Sequence, residues 1–274
     1  GKLSCPSVVT MLDLIFLRYP QYFKAWDRQY YKVSFKKSAQ LATHIISTSQ
    51  STKNDLIDFF GVDENKISVI YPCFDSNFTS LDESSLKDIK SRYQLPDQYI
   101  LFVSNIEPRK NIVRLAQAFD QLKQARRLDQ QVQLVVVGNK GWFYQEIFHQ
   151  VDQLPSRQHI KFVGPIYGEH LAGFYQLATV MAYPSMFEGF GFPILEAMCV
   201  GTPVLTSNIS SMPEAGGQAA HYVDPQQVED IAEGLAKLMT DTDYRKKLVQ
   251  AGFKQAKNFS VNKMVQQTVS VYKM

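Results

Sequence analysis

From about residue 97 the chain carries six short, nearly continuous hydrophobic runs separated by stretches long enough for one helix, and this pattern restricts the fold more than any other feature. The runs are "YILFVSN" (99–105), "VQLVVVGN" (132–139), "HIKFVG" (159–164), "TVMAYPS" (179–185), "PVLTSN" (203–208) and "AAHYV" (219–223). Unbroken hydrophobicity over four to six residues is what a strand buried on both faces requires. The intervening segments are amphipathic. In "NIVRLAQAFDQLKQARR", Ile112, Leu115, Ala116, Phe119 and Leu122 recur at helical spacing. Such alternation predicts an α/β fold with a Rossmann-type, doubly wound parallel sheet. Ligands of these sheets bind beyond the carboxyl ends of the strands, so the loops after residues 104, 138, 164, 185 and 207 are the ones to inspect.

Residues 1–80 form a smaller α/β piece: "SVVTMLDL", a helical stretch over 21–40, "ATHIISTS", a helix over 50–60, and "KISVIYP". Three strands make a partial sheet, so this is expected to be a partial N-terminal domain. The polar run "CFDSNFTSLDESS" begins the linker, assigned to 81–96. The nucleotide-type domain is then 97–257, and 258–274 is a final helix. After residue 225 the pattern is helical to the end, as three helices.

Composition narrows the partners. The 274 residues are 45% hydrophobic, and 29 basic against 26 acidic groups leave a net charge of +3, too little for a nucleic-acid binder held by phosphate contacts. Cys5, Cys73 and Cys199 show no metal-ligand spacing, which argues against a disulfide framework or zinc site and suits a reducing cytoplasm. No apolar run approaches the roughly 18 residues of a membrane span. The start, "GKLSCPSVVT", has no apolar signal region and opens into a strand, so the chain is expected to begin partway through a domain.

Chemistry concentrates in "FEGFGFPILEA" (187–197). Pro193 suits a first helical turn. Gly189 and Gly191 let the turn adopt positive φ and let a ligand approach the backbone. Free amides at the helix start favour an anion. Glu188 stands just before the helix and Glu196 is expected in its first turn, both at one ligand-facing corner. Carboxylates only accept hydrogen bonds, which suits hydroxyl-rich partners such as sugar and ribose. Glu196 alone would read as offsetting the helix dipole, worth about 0.3–1 kcal/mol; the pair with its glycine turn and proline favours the site. In "SNIEPRKN", Arg109 and Lys110 follow the first strand and open a helix, either as phosphate-facing cations or as a solvated basic helix start.

Together "PSMFEGFGFPILEAMCVGTPVLTSNISSMPEAGG", "EPRKN" (107–111), "VVVGNKGW" (135–142) and "VDP" (223–225) resemble family 4 (group 1) glycosyltransferases of the GT-B fold, with their E-x7-E motif. That resemblance implies two Rossmann-like domains facing across a cleft, the C-terminal one holding a nucleotide-diphosphate sugar. It implies that Glu188 contacts the donor sugar's hydroxyls and Glu196 the ribose hydroxyls. Amides around Phe190 and Gly191, within the donor-binding stretch Gly189–Phe192, would meet sugar or phosphate. Lys110 matches the phosphate-binding lysine, with Arg109 assisting. Many members carry a further arginine near Asn105, and the backbone at Ile166 would read the nucleobase edge. The resemblance further implies transfer of a hexose with retention of configuration, no metal and no cofactor. The acceptor would be a saccharide or lipid-linked, and the donor GDP-mannose or similar, in bacterial surface polysaccharide synthesis. Members have about seven N-terminal strands, so the first part of that domain is expected to be missing, and the final helix to cross back to the N-terminal part. Where many relatives place a histidine, this chain has Leu12; Asp13 is read as structural. The competing readings are a non-catalytic nucleotide-sugar-binding module and an enzyme that makes or isomerises sugar nucleotides.

Several motifs have simpler accounts. Ser211 and Glu214 have capping-box spacing, with a donor-site role as the alternative. "DTD" (241–243) imitates a metal-binding motif but precedes a helix that needs an acidic cap. "GFGFPI" lacks the third glycine of a dinucleotide fingerprint. Ser49 is expected to cap the helix after it. In "YFKAWDRQYYKVSFKK", Lys24, Arg28, Lys32 and Lys36 fall on one helical stripe with Trp26, Tyr30, Tyr31 and Phe35 interleaved. This is either a peripheral contact with an anionic membrane at its cytoplasmic face or a solvated face over an aromatic core.

Overall fold

Two parallel sheets organise the chain. The computed structural model describes residues 5–73 and 78–274; residues 1–4 and the 74–77 part of the polar run read as a linker lie outside the described residues. The first sheet comprises β1 (Val8–Met11), followed by α1 (Ile15–Arg18) and α2 (Ala25–Leu41), then β2 (His44–Ser47), α3 (Gln50–Phe60) and β3 (Ile67–Val69), in spatial order β1-β2-β3. After α4 (Glu83–Arg92) the second sheet begins. It runs β4 (Tyr99–Val103), α5 (Ile112–Gln124), β5 (Gln133–Val137), α6 (Tyr144–Asp152), β6 (Ile160–Gly164), α7 (Gly168–Leu177), β7 (Val180–Tyr183), α8 (Phe192–Cys199), β8 (Val204–Ser207), α9 (Met212–Gly216) and β9 (Ala220–Val223). Then α10 (Val228–Thr240), α11 (Thr242–Ala256) and α12 (Val261–Tyr272) complete the chain. Every recorded strand pairing is parallel.

The second sheet has the order β6-β5-β4-β7-β8-β9. The chain winds outward from β4 to β6, then returns to β7 on the other side of β4. The crevice beyond the carboxyl ends of β4 and β7 is therefore the topological switch point, where doubly wound sheets bind ligands. Helices α5, α6 and α10 pack together, and α4, α7, α8 and α11 form a separate layer. All or most of the residues of β4, β5 and β7 are buried, as their continuous hydrophobicity requires.

Local signals set the helix ends. Ser49 accepts from the Thr52 amide at 3.0 Å, and Gly61 closes α3 at φ 65°, the left-handed conformation glycine tolerates. Asp241 accepts from the Tyr244 amide at 2.8 Å to begin α11, so "DTD" is a cap. One expectation needs correcting: most of the proposed 81–96 linker is helix α4, whose Ile89 enters the core of the second sheet. Its Asp82 N-cap, accepting from Ser85, shows that the polarity read as linker is helix-start chemistry. At the far end of the chain, Val271 of α12 clusters with Ile46 of β2 and Ile70 just after β3.

Helix α2 divides its aromatics. Tyr31 and Phe35 pack on Phe16 at ring distances of 5.7 and 5.1 Å, whereas Trp26 and Tyr30 are 87% and 69% exposed. Lys24, Arg28, Lys32 and Lys36 are exposed as well. No helix among the described residues is long and apolar enough to cross a membrane.

Because α5 carries its apolar stripe against the centre of the second sheet, Phe119→Ala should cost about 3–5 kcal/mol of stability. Urea unfolding should show the lower midpoint, and a loss under about 1 kcal/mol would contradict the fully buried position of Phe119.

Candidate active site

Three loops meet at the switch point. After β4 the chain makes a 3-10 turn, Pro108–Lys110, and Asn111 then takes φ 65° to start α5. The Asn111 side-chain amide donates to the Pro184 carbonyl at 2.9 Å and the Pro225 carbonyl at 2.7 Å. One buried residue thereby ties together the loops after β4, β7 and β9. The Arg109 carbonyl accepts from the Met186 amide at 2.8 Å and the Ser185 hydroxyl at 3.1 Å, which locks the β7 loop onto the 3-10 turn.

This scaffold holds Glu188 almost out of solvent. Its Oε1 accepts from Lys110 Nζ at 2.6 Å, the Ser185 hydroxyl at 2.6 Å and the Tyr183 hydroxyl at 2.8 Å. Its Oε2 accepts from Arg109 Nη1 at 2.9 Å. Burial would push this carboxyl up, but Lys110 and Arg109, with bonds from Lys110 and Ser185, hold it down at about 2. Burial lowers the Lys110 ammonium; Glu188 works against that shift and Arg109 adds to it. Glu107 reaches Arg109 Nε at 3.2 Å from a partly exposed position. Two cations thus meet two carboxylates, Glu188 buried and Glu107 partly exposed, at the ligand end of the sheet.

The glycine turn is built as its sequence suggests. Gly191 sits at φ 116° before α8, and Pro193 is in the first turn. Among the described residues, the amides of Gly189, Phe190 and Gly191 have no recorded intramolecular acceptor, so these backbone donors are unspent within the chain. The carbonyls of Glu188 and Phe190 are held by Ser211 at 2.8 and 2.7 Å. Phe190 itself is buried, against Tyr71, Phe192 and Phe259, so only its backbone can serve a ligand. Gly189 answers a close approach: a Cβ there would meet the Leu12 carbonyl oxygen at 2.6 Å.

Some expectations fail here. Glu196 is the fifth residue of α8, and the helix has no acid in its first turn. It accepts from the Tyr175 hydroxyl at 2.8 Å, burial raises its pKa while that bond opposes the rise, and it shares no hydrogen-bond partner with Glu188. Ser211 and Glu214 do not form a capping box, because Ser211 is spent on Glu188 and Phe190. The Glu214 carboxylate instead reaches across to α3, accepting from the Gln50 amide at 2.6 Å and the Ser51 amide at 2.9 Å. Asn105 is exposed after β4, and Ile166 lies between β6 and α7, packed on the core; neither touches the Glu188 cluster.

Tyr183, Ser185, Asn111 and Asp13 were not foreseen in the site. Tyr183 ends β7 and Ser185 follows it at the flagged loop, where a hydroxyl pair near an acid is the available signal. Asp13 does hold the start of α1, accepting from the Ile15 amide at 3.1 Å. Yet its Oδ2 lies 3.2 Å from where a Cβ on Gly189 would stand. Burial raises its carboxyl; the Ile15 amide and Arg109 pull it back, Glu188 pushes it further up, and Lys110 lowers it. The first sheet therefore contributes a carboxylate to the cluster, beside Leu12.

Comparison with known proteins fits this architecture. Residues 86–255 match the profile of Glycosyl transferases group 1, and residues 1–78 that of Glycosyltransferase Family 4. O-antigen chain mannosyltransferase B of Escherichia coli is 30% identical over 269 residues, covering 98% of this chain and 70% of that protein. Serotype-specific mannosyltransferase WbdA of Escherichia coli is 31% identical over 229 residues, 80% of this chain but 27% of that protein. The chain thus spans about a quarter of this second relative's length. Among solved structures, Anabaena Alr3699/HepE in complex with UDP and glucose superposes with a TM-score of 0.83 at 21% identity, covering 98% of this chain and 71% of that one. That likeness fixes the GT-B architecture. By the sequence profile across its second sheet and its kinship with the Escherichia coli mannosyltransferase, the chain belongs to the group 1 glycosyltransferases.

Proposed function

We propose that this protein transfers a hexose from a nucleotide-diphosphate sugar to a saccharide or lipid-linked acceptor, with retention of configuration and without a metal, in surface polysaccharide synthesis. The carrying observation is the buried Lys110–Glu188–Arg109 cluster at the switch point. In this reading the diphosphate lies over Lys110, Arg109 and the free amides of Gly189–Gly191, and Glu188 and the Phe192 end of the turn face the sugar. As the bond from the anomeric carbon to the phosphate oxygen breaks, its electron pair leaves with the diphosphate, whose growing charge the two cations stabilise. The acceptor oxygen bonds to the anomeric carbon on the same face, and its proton passes to the departing phosphate oxygen. Two fixed cations supply the charge a metal supplies elsewhere. Glu196 binds the ribose by trading its bond to Tyr175, and Asn105 and Ile166 border the nucleoside.

The relatives named as mannosyltransferases favour a mannose donor. Leu12, where many relatives carry a histidine, favours a second reading, a module that binds the donor without transferring it. Calorimetry with GDP and UDP, followed by a transfer assay, separates the two: binding with no turnover supports the module.

Lys110→Met should lower kcat by about 10²–10³-fold, and Glu188→Ala should abolish transfer while nucleotide affinity stays within a few-fold. Unchanged turnover in Glu188→Ala would remove it from the chemistry. The pairing also sets a pH signature. A carboxyl held at about 2 instead of 4.5 adds stability that is present above 4.5 and lost as pH falls towards 2. Chemical denaturation across that window should show a steeper acid loss in the native chain than in Glu188→Gln, which should itself be several kcal/mol less stable because two buried cations lose their partner.

The exposed stripe of α2 is proposed as a peripheral contact with anionic membrane. Sedimentation with phosphatidylglycerol vesicles should show binding that weakens with salt and falls in a Trp26→Ala, Lys32→Glu double variant. Equal recovery with neutral vesicles would end that idea.

A further inference from the structure

A cavity of about 230 Å3 opens beside Arg109, between the two sheets. The first sheet's side supplies Ile15, Tyr22 and Phe23, and the second supplies Glu107, Trp142 and Phe143. Trp142 and Phe143 stand in the loop after β5, both more than half exposed at 52% and 54%. Two large rings so exposed invite a ligand surface. Phe143 also takes φ 58°, a backbone conformation unfavourable for a bulky residue, of the kind kept where a site needs it. The loop is pressed down by Gly141, where a Cβ would lie 2.4 Å from Glu107 Cγ. Trp142 is thereby held against Phe23, with ring centres 6.1 Å apart.

The chemistry of the lining is specific. Aromatic faces accept the C–H face of a sugar ring, while a carboxylate and a guanidinium at one end take its hydroxyls. The volume is below the roughly 300–1,000 Å3 of drug-sized sites, a scale suited to one sugar ring. Through Tyr22, Pro108 and Phe143 the cavity continues into a second one of about 510 Å3, lined by Arg114, Gln117, Glu146 and Gln150 among others. An aromatic seat followed by an amide-rich groove suits the end of a saccharide chain. Arg109 lines the seat and also binds Glu188 at 2.9 Å, so a ring seated there lies next to the transfer site.

We propose that the Tyr22–Phe23–Trp142–Phe143 cavity is the acceptor subsite, holding the terminal sugar of a saccharide with a hydroxyl turned towards Arg109. The proposal rests on the donor reading above for its catalytic meaning, but its binding test does not. With Trp26 replaced by Phe, Trp142 is the only indole of the two in the chain, and its emission reports on the cavity. Titration with α-mannobiose or maltose should give a saturable shift for at least one of them. The shift should weaken at least tenfold in Phe23→Ala and persist in Phe23→Tyr. GDP or UDP affinity, measured by calorimetry, should change less than twofold in Trp142→Ala. Emission unmoved by both disaccharides while a nucleotide binds overturns the proposal. So does a nucleotide that shifts Trp142 emission and loses tenfold affinity in Trp142→Ala, because the rings then hold a nucleobase. A disaccharide response with no nucleotide binding supports the saccharide seat and sinks the donor reading alone.

Discussion

A single carboxylate, Glu188, holds the second sheet's ligand end together. Two cations and two hydroxyls, with the loops that carry them, converge on its oxygens. A buried charge is tolerated only when paired and fully hydrogen-bonded. The loops after β4 and β7 are thus fixed relative to each other by the same acid that, in the proposed reaction, faces the sugar. Preorganisation of this kind lets cations meet developing charge with little rearrangement at the moment of reaction. Structural and chemical roles cannot be separated at this residue.

Topology explains why the cluster sits where it does. The return from β6 to β7 leaves adjacent strands whose following loops diverge, and the gap receives whatever those loops carry. Here they carry Arg109, Lys110 and Glu188. Asn111 adds the third loop, from β9, through two carbonyl contacts. The first sheet closes the gap from above with Leu12 and Asp13, an approach that a side chain at residue 189 would block.

Much of the fold was legible in the sequence because it depends on short-range pattern. The six strand runs of the second sheet and the three of the first each contain an observed strand; for the central β4, β5 and β7 the continuous apolar residues reflect burial on both faces. Caps at Ser49 and Asp241 followed from one side chain and one amide. The site was partly legible, because a glycine turn with proline and acids is a local statement about backbone and charge. What sequence could not give was pairing. Arg109 and Glu188 are 79 positions apart, and nothing local says that a carboxylate will spend itself on those cations. Glu214 shows the same limit: its spacing to Ser211 suggests a cap on its own helix, whereas its partners are amides 163 and 164 residues away. The α4 misreading has another origin, since polar residues suit a linker and an exposed helix start alike. Trp142 and Phe23 were passed over because an aromatic residue in a string does not disclose whether it faces core or solvent.

The bond from Glu214 to α3 has a mechanical meaning. A helix start needs something negative or oxygen-bearing at its exposed amides, and here the other half of the molecule provides it. Separating the halves would leave Ser49 capping Thr52 but take the acceptor from the Gln50 and Ser51 amides, a loss of the order of a cap, about 0.5–2 kcal/mol. A guest that enters between the halves without disturbing this bond leaves α3 with its full set of acceptors.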